Sequence, residues 1–317
     1  MKYQSALIRV AGRTAAMLTA ISAAYAQQGD DSCQAAQWAP IRWTRFALAA
    51  IFLFAVPSYA LAQAASDADL AKKLANPISS LISVPFQYNF DCCFGPSDAD
   101  RHLLNIQPVI PTKLSPNWNL IIRTILPVIY LESPAPGLDS TFGLSDTLQS
   151  FFFSPSNTPG GVTWGVGPAI QWPTGTDPLI DSEKWSAGPT AVILKQQGGW
   201  TYGMLANQIW SFADAGGPND RPEVNQMFLQ PFLAYTWKDS TTLTLNSEST
   251  FNWTANEWTV PINLTISHVY KFGTQPVSLA LDGRAYAVTP DEGPEWGLRA
   301  VATFLFPVTG KSRLSKK

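Results

Sequence analysis

The stretch from Glu223 to Phe272 leaves the fewest ways to fold. In TTLTLNSESTFNW, Leu243, Leu245, Phe251 and Trp253 alternate with Thr242, Thr244, Asn246, Glu248, Thr250 and Asn252. Alternation at period two marks a strand with one apolar and one polar face. EWTVPINLTISHVY repeats it, with Trp258, Val260, Ile262, Leu264 and Ile266 against Glu257, Thr259, Asn263, Thr265 and Ser267. NQMFLQPFLAYTWK precedes both, so three long strands follow one another as a meander. Strands of globular proteins usually run to about 5–6 residues, and this length calls for a reason. A soluble sandwich would bury the apolar face under a second sheet, whereas a membrane barrel turns it to lipid and fills the lumen with the polar face. Trp237, Trp253, Trp258 and Tyr270 lie at or near strand ends, where outer-membrane barrels carry interfacial girdles. Trp296 joins the same expected girdle, and the barrel is the preferred reading.

The remaining chain supplies enough strands to close such a barrel. Segments near 82–90, 102–112, 117–132, 143–153, 160–174, 184–196 and 200–213 precede the meander, and 276–288 and 296–306 follow it. The expectation is an all-β, closed antiparallel transmembrane barrel of about twelve strands, within ten to fourteen, joined by short periplasmic turns. Connections after strands 1, 3, 5, 7 and 11 read as longer than those after 2, 6, 8 and 10, which matches long outer loops and tight periplasmic turns, while the turn after strand 9 and the SPSNTPGG connection after strand 4 break the rule. Seven prolines count against the scheme. Pro85, Pro108, Pro127, Pro168, Pro189, Pro231 and Pro261 all fall inside expected strands, where each removes a ladder donor that a closed barrel cannot place on an edge. Bulges are the expected way to absorb them.

Composition and the N-terminus agree with export. Of 317 residues 14% are charged, against a globular norm of about 25%. No basic cluster outside the last residues suggests nucleic acid, and no apolar run of about 20 residues marks a membrane helix. Residues 1–62 form an export-signal region. Within it Arg42 and Arg45 precede FALAAIFLFAV, and Ala60-Leu61-Ala62 makes a small-residue cleavage site, placing the signal peptide at about 41–62. Residues 63–77 would be a short periplasmic segment, helical or unstructured, 78–306 the barrel, and 307–317 a basic tail. Cys33 would leave with the signal, and Cys92-Cys93 read as a chance pair in a loop, with a strained vicinal disulfide in an oxidising compartment as the alternative. No metal-ligand spacing, phosphate loop or cofactor motif is present.

At this point the segments LANPISSLISVPFQYNFD, LNIQPVIPTKLSPNWNLIIRTILPVIY, GGVTWGVGPAIQWPT and KWSAGPTAVILKQQGGWTYGMLANQIWSF resemble bacterial outer-membrane transporters of the phenol-degradation meta-pathway family. The resemblance spans roughly residues 70–306. It implies an outer-membrane location, insertion by the barrel-assembly machinery and a connection with aromatic compounds, and it defines no catalytic motif.

By parity, Arg123, Glu248, Asn263, Asp282, Arg284 and Arg299 point into the lumen. An Arg on the lipid face at mid-membrane would cost about 2–4 kcal/mol. These groups are therefore the candidate solute pathway, either a selective constriction or a set of ion pairs that stiffens the barrel. Catalysis is not expected. The histidines are His102, read as a solvated residue at a strand start, and His268, whose neighbour Ser267 faces the opposite side of the sheet. The expected function is passive passage of small solutes, hydrophobic or aromatic ones included. The alternatives are a structural or partner-binding barrel without an open pore and, third, a lipid-modifying enzyme. Outer-membrane lipid and a small solute are the expected partners.

Overall fold

A computed structural model describes residues 66–216 and 221–307. The export-signal region 1–62 and residues 308–317 of the tail lie outside the described residues.

After a short helix, α1 (Asp67–Leu74), the chain is a run of antiparallel strands. They are β1 (Leu81–Phe94), β2 (Ala99–Ile106), β3 (Val109–Lys113), β4 (Trp118–Leu131), β5 (Thr141–Leu144), β6 (Thr147–Pro155), β7 (Val162–Trp172) and β8 (Lys184–Gln197). Then follow β9 (Trp200–Asp214), β10 (Asn225–Thr236), β11 (Thr241–Ser247), β12 (Ser249–Asn252), β13 (Glu257–Phe272), β14 (Gln275–Val288) and β15 (Trp296–Pro307). Successive staves pair with one another, and β15 returns to β1 in register from Leu81↔Pro307 to Asp91↔Gly297, so the sheet closes. Three pairs of segments, β2 with β3, β5 with β6 and β11 with β12, are single staves interrupted by a break, and the barrel therefore has twelve staves. No helix among the described residues is long and apolar enough to cross a membrane. A closed barrel satisfies its backbone without one.

The prolines explain the breaks. Pro85 faces the interruption at Gln107–Pro108, where Gln107 N donates to the Pro85 carbonyl at 2.9 Å. Pro127 faces the interruption at Ser145–Asp146 and accepts from Ser145 N at 3.1 Å. Pro231 and Pro261 flank Glu248 from either side: the β10 ladder skips between Leu229 and Phe232, and the β13 register shifts at Val260/Pro261. Pro168 and Pro189 stand opposite one another, and their outer ladders, to β6 and β9, both skip there. A residue without an N–H is tolerated where the partner strand bulges away. The bulges also aim side chains inward, Gln107 and Glu248 among them.

The outer face carries the apolar parity seen in sequence. Leu243, Leu245, Ile262, Leu264, Ile266, Leu281 and Leu298 are all exposed around the wall, as a lipid-facing belt requires. Longer connections (132–140, 173–183 and 289–295) gather at one end, opposite the short turns at 198–199 and 273–274. The long-loop end is the extracellular one by this asymmetry. The connection after the first strand is shorter than expected. Strand pairing continues through Phe94 and resumes at Ala99, which leaves Gly95–Asp98 as a tight turn, with positive φ at Gly95 and Asp98. Cys92 and Cys93 are the end of a strand rather than part of a loop, and they form a disulfide with each other.

Candidate functional site: a charged lumen behind an N-terminal plug

The lumen has two unlike walls. On β11–β15 and β1–β2 it is lined by charges that lock together. Glu248 receives both Arg299 terminal nitrogens, Nη2 at 2.6 Å and Nη1 at 3.1 Å, and Arg284 Nη2 at 3.3 Å. Arg284 Nη1 donates to Asp91 Oδ1 at 3.0 Å, and Arg101 Nη2 to Asp91 Oδ2 at 2.9 Å. Asn89 Oδ1 accepts from Arg299 Nε at 2.7 Å, and Asn263 Oδ1 from Arg284 Nε at 2.9 Å. Asp282 lies 4.0 Å from Arg299 and accepts from the Thr265 hydroxyl. Two-pronged Arg–carboxylate pairing fixes geometry as well as charge. These guanidiniums form a rigid belt at mid-height on one side.

Of the six residues expected in the lumen, the structure brings Glu248, Asn263, Asp282, Arg284 and Arg299 together, and it places Arg123 elsewhere. Arg123 projects from β4, and its Nη2 donates to Gln107 Oε1 at 2.9 Å. Among the described residues no carboxylate forms a salt bridge with it. Sequence reasoning missed Asn89, Asp91, Arg101, Gln107 and Tyr286, whose hydroxyl donates to Asp91 at 2.8 Å. Extending the parity of Gln87 and Asn89 by one step would have found Asp91. Its partners on β14 could not be found that way, because they meet it only across the closing seam.

The opposite wall is apolar. Ile121, Phe152, Val192, Leu194 and Leu205, from β4, β6, β8 and β9, form a buried cluster, with Val109, Phe228 and Phe232 against it. This departs from the expectation of a lumen filled by the polar strand faces. The β4 run LIIRTIL is apolar on both faces, so its inward residues are apolar too.

The cluster is completed from inside by Ile78. Helix α1 is capped by Ser66, whose Oγ accepts from Asp69 N at 3.1 Å, with acids in its first turn and lysines in its last, as the helix dipole favours. Leu70 and Ala71 pack on Leu81, Val269 and Leu305 of β1, β13 and β15. Asp67 pairs with Lys271 at 2.6 Å, and the Lys72 carbonyl accepts from Gln196 at 2.8 Å. The chain then turns at Asn76-Pro77, where Asn76 Oδ1 accepts from Ile78 N at 3.0 Å, and sets Ile78 against the far wall. Residues 66–79 thus cross the lumen near its short-turn end. The segment that reads in sequence as a separate periplasmic piece is a plug seated in the barrel mouth.

Two cavities remain. One of about 280 Å³ lies between the plug and the charged belt, bounded by Asn76, Pro77, Gln87, Arg123, Glu248 and Arg299. The other, about 160 Å³, lies nearer the long loops, bounded by Arg123, Ile125, Leu148, Leu205, Ile209 and Phe228. Arg123 borders both.

The expected girdle residues are exposed, Trp237 and Tyr270 toward the short-turn end and Trp253, Trp258 and Trp296 toward the long-loop end. His102 is not a solvated residue at a strand start. It lies within β2 on the outer wall, ringed by Tyr88, Phe90 and Tyr130, with Nδ1 2.7 Å from the Tyr88 hydroxyl. His268 contacts a serine other than its chain neighbour: Ser240 Oγ is 3.4 Å from Nε2, and that hydroxyl also donates to the Val269 carbonyl at 3.3 Å. Ser240 is almost fully buried, which leaves no approach for a substrate at its oxygen. No group of His, Cys, Asp and Glu among the described residues could hold a metal ion. In the extracellular loops, burial and the nearby Asp146 raise the Asp181 carboxyl above its ordinary range, while the Leu179 backbone N–H lowers that of Asp177.

No family model and no curated protein sequence matches the chain. Among solved structures it is similar to a COG4313 outer membrane channel from Pseudomonas putida F1, with 14% identity and a TM-score of 0.58 over 72% of this chain and 96% of that one. It also matches outer membrane phospholipase A from Escherichia coli, with 12% identity and a TM-score of 0.41 over 73% and 100% of the two chains. A third match is the CymD monoaromatic hydrocarbon channel, with 8% identity and a TM-score of 0.40 over 75% and 90%. The first of these shares the fold, and together with the closed wall and its apolar outer face it identifies the chain as a bacterial outer-membrane β-barrel of twelve staves.

Proposed function

We propose that the barrel is an outer-membrane channel that passes small solutes passively along its lumen, hydrophobic and aromatic ones among them, with the plug as its periplasmic closure. The observation that carries this reading is the pair of cavities in series. Between them stand side chains, Arg123 foremost, so a solute can move from one to the other by side-chain rearrangement while the wall stays intact. The plug is held by few groups, chiefly Leu70, Ala71 and Ile78 with one exposed ion pair, and segments of this kind open at low cost. The shared fold with a solved outer membrane channel supports the reading, as does the apolar half of the wall. With His102 and His268 both on the outer face, we read the protein as a channel rather than an enzyme.

The test is single-channel recording of the chain freed of residues 1–62 in planar bilayers, comparing wild type with Glu248→Gln and Arg284→Gln. Discrete openings whose ion selectivity moves in opposite directions in the two variants are expected. A folded barrel that stays silent even after its plug is weakened would overturn the proposal and leave a closed structural barrel.

A further inference from the structure

The lumen carries one arginine that forms no salt bridge: Glu248 acts on Arg123 through space, but its oxygens are already bonded to Arg284 and Arg299. In the belt and beside it, Asp91, Glu248 and Asp282 face Arg101, Arg284, Arg299 and Arg123, three carboxylates against four guanidiniums. The first three arginines are paired. Arg123 has the neutral Gln107 amide oxygen and borders open space on both sides. A guanidinium has five donors in a fork that matches a carboxylate. Held largely away from water, and sharing its acid Glu248 with two other arginines, it favours any anion that can reach it.

What can reach it is set by the outer cavity. Its volume is about 160 Å³, and a cavity of about 150 Å³ lined by Leu, Ile and Phe accommodates benzene. Ile125, Leu148, Leu205, Ile209 and Phe228 supply an apolar side here, and Ser150, Gln171, Asn207, Gln226 and Thr250 a neutral polar one, so that Arg123 is the one charged group of the lining. We infer that this cavity is a binding site for a monocyclic aromatic carboxylate, with the ring among these five side chains and the carboxylate on Arg123. The inference deepens the channel reading by naming the class of solute, and the binding itself stands whether or not the barrel conducts. Size excludes a long acyl chain in one piece, and the five apolar side chains favour a ring-bearing anion over a small hydrated one.

The probe is benzoate, titrated by calorimetry into the refolded barrel in detergent, with benzyl alcohol and acetate as controls for ring and charge alone. Saturable benzoate binding is expected, with both controls weaker by about tenfold or more. Arg123→Gln should weaken benzoate by about 10–100-fold, the loss of a charge-assisted contact, and leave benzyl alcohol unchanged. Arg123→Lys should recover part of that loss. Ile125→Phe, which fills the ring space and keeps the charge, should abolish benzoate binding while leaving acetate as it was. Heat-shifted gel mobility confirms folding of each variant. Equal affinity for benzoate and benzyl alcohol, or an Arg123→Gln barrel that binds benzoate as wild type does, overturns the inference. Bilayer recording separates the two proposals: conduction without benzoate binding removes the site and leaves the channel, whereas benzoate binding without conduction keeps the site and removes the channel.

Discussion

Weakening the plug at Ile78 tests how the lumen is closed. Ile78 is 4% exposed and is the group of residues 66–79 that reaches the far wall, touching residues of β4, β6, β8 and β9. Cutting a buried Ile back to Ala typically costs about 2–5 kcal/mol. In a lumen with adjoining cavities the neighbours can relax, so the low half of that range applies, about 2–3.5 kcal/mol. The wall itself is untouched by the change, and the whole cost falls on the docked plug. At 1.4 kcal/mol per factor of ten, the ratio of docked to undocked plug should fall by about 30- to 300-fold. Open probability in planar bilayers should rise accordingly, and limited proteolysis should cleave near residues 66–79 while the barrel keeps its heat-shifted mobility. Ile78→Val, which removes one methylene at about 0.5–1.5 kcal/mol, should give a proportionately smaller rise. Unchanged open probability and protease resistance in Ile78→Ala would refute the reasoning, because the segment would then not be held by this contact.

Other expectations follow from the belt and the ends of the barrel. Glu248→Gln leaves Arg284 and Arg299 facing each other without their shared anion and should lower the unfolding free energy by about 3 kcal/mol in urea titration. In a double-mutant cycle, Glu248→Gln combined with Arg299→Gln should cost less than the sum of the single changes by about 1–3 kcal/mol, and strict additivity would show that the pair is not coupled. Replacing Cys92 and Cys93 together by Ala should shift the unfolding midpoint by less than about 1 kcal/mol, since no residue lies between them and almost no chain entropy is constrained. The Thr241 backbone N–H holds the Asp239 carboxyl below its ordinary range. Its contribution is therefore present above the unfolded-state value and lost as pH falls through the folded one, and Asp239→Asn should flatten the acid limb of the stability curve measured by thermal unfolding.

Alternation along the chain was enough to read twelve staves, their lipid-facing and lumen-facing sides, and the inward direction of Glu248, Arg284 and Arg299. That information is local: a pleated backbone sends successive side chains to opposite faces wherever the strand lies. Even the seven prolines marked, in advance, where the ladder would break. What the sequence could not specify was who meets whom inside. Asp91 and Arg284 are 193 residues apart and touch because β15 closes on β1 at one particular register, and a closed sheet has a register only once it is closed. Arg123 lies on the same inward parity as the belt arginines, yet it stands on β4, across a cavity from Glu248, and bonds to the Gln107 amide instead of a carboxylate. The plug is the clearest case. The sequence left residues 63–77 helical or unstructured; the place of this segment in the mouth of the barrel depends on an apolar lumen wall assembled from four distant strands, and that wall exists only in the tertiary structure.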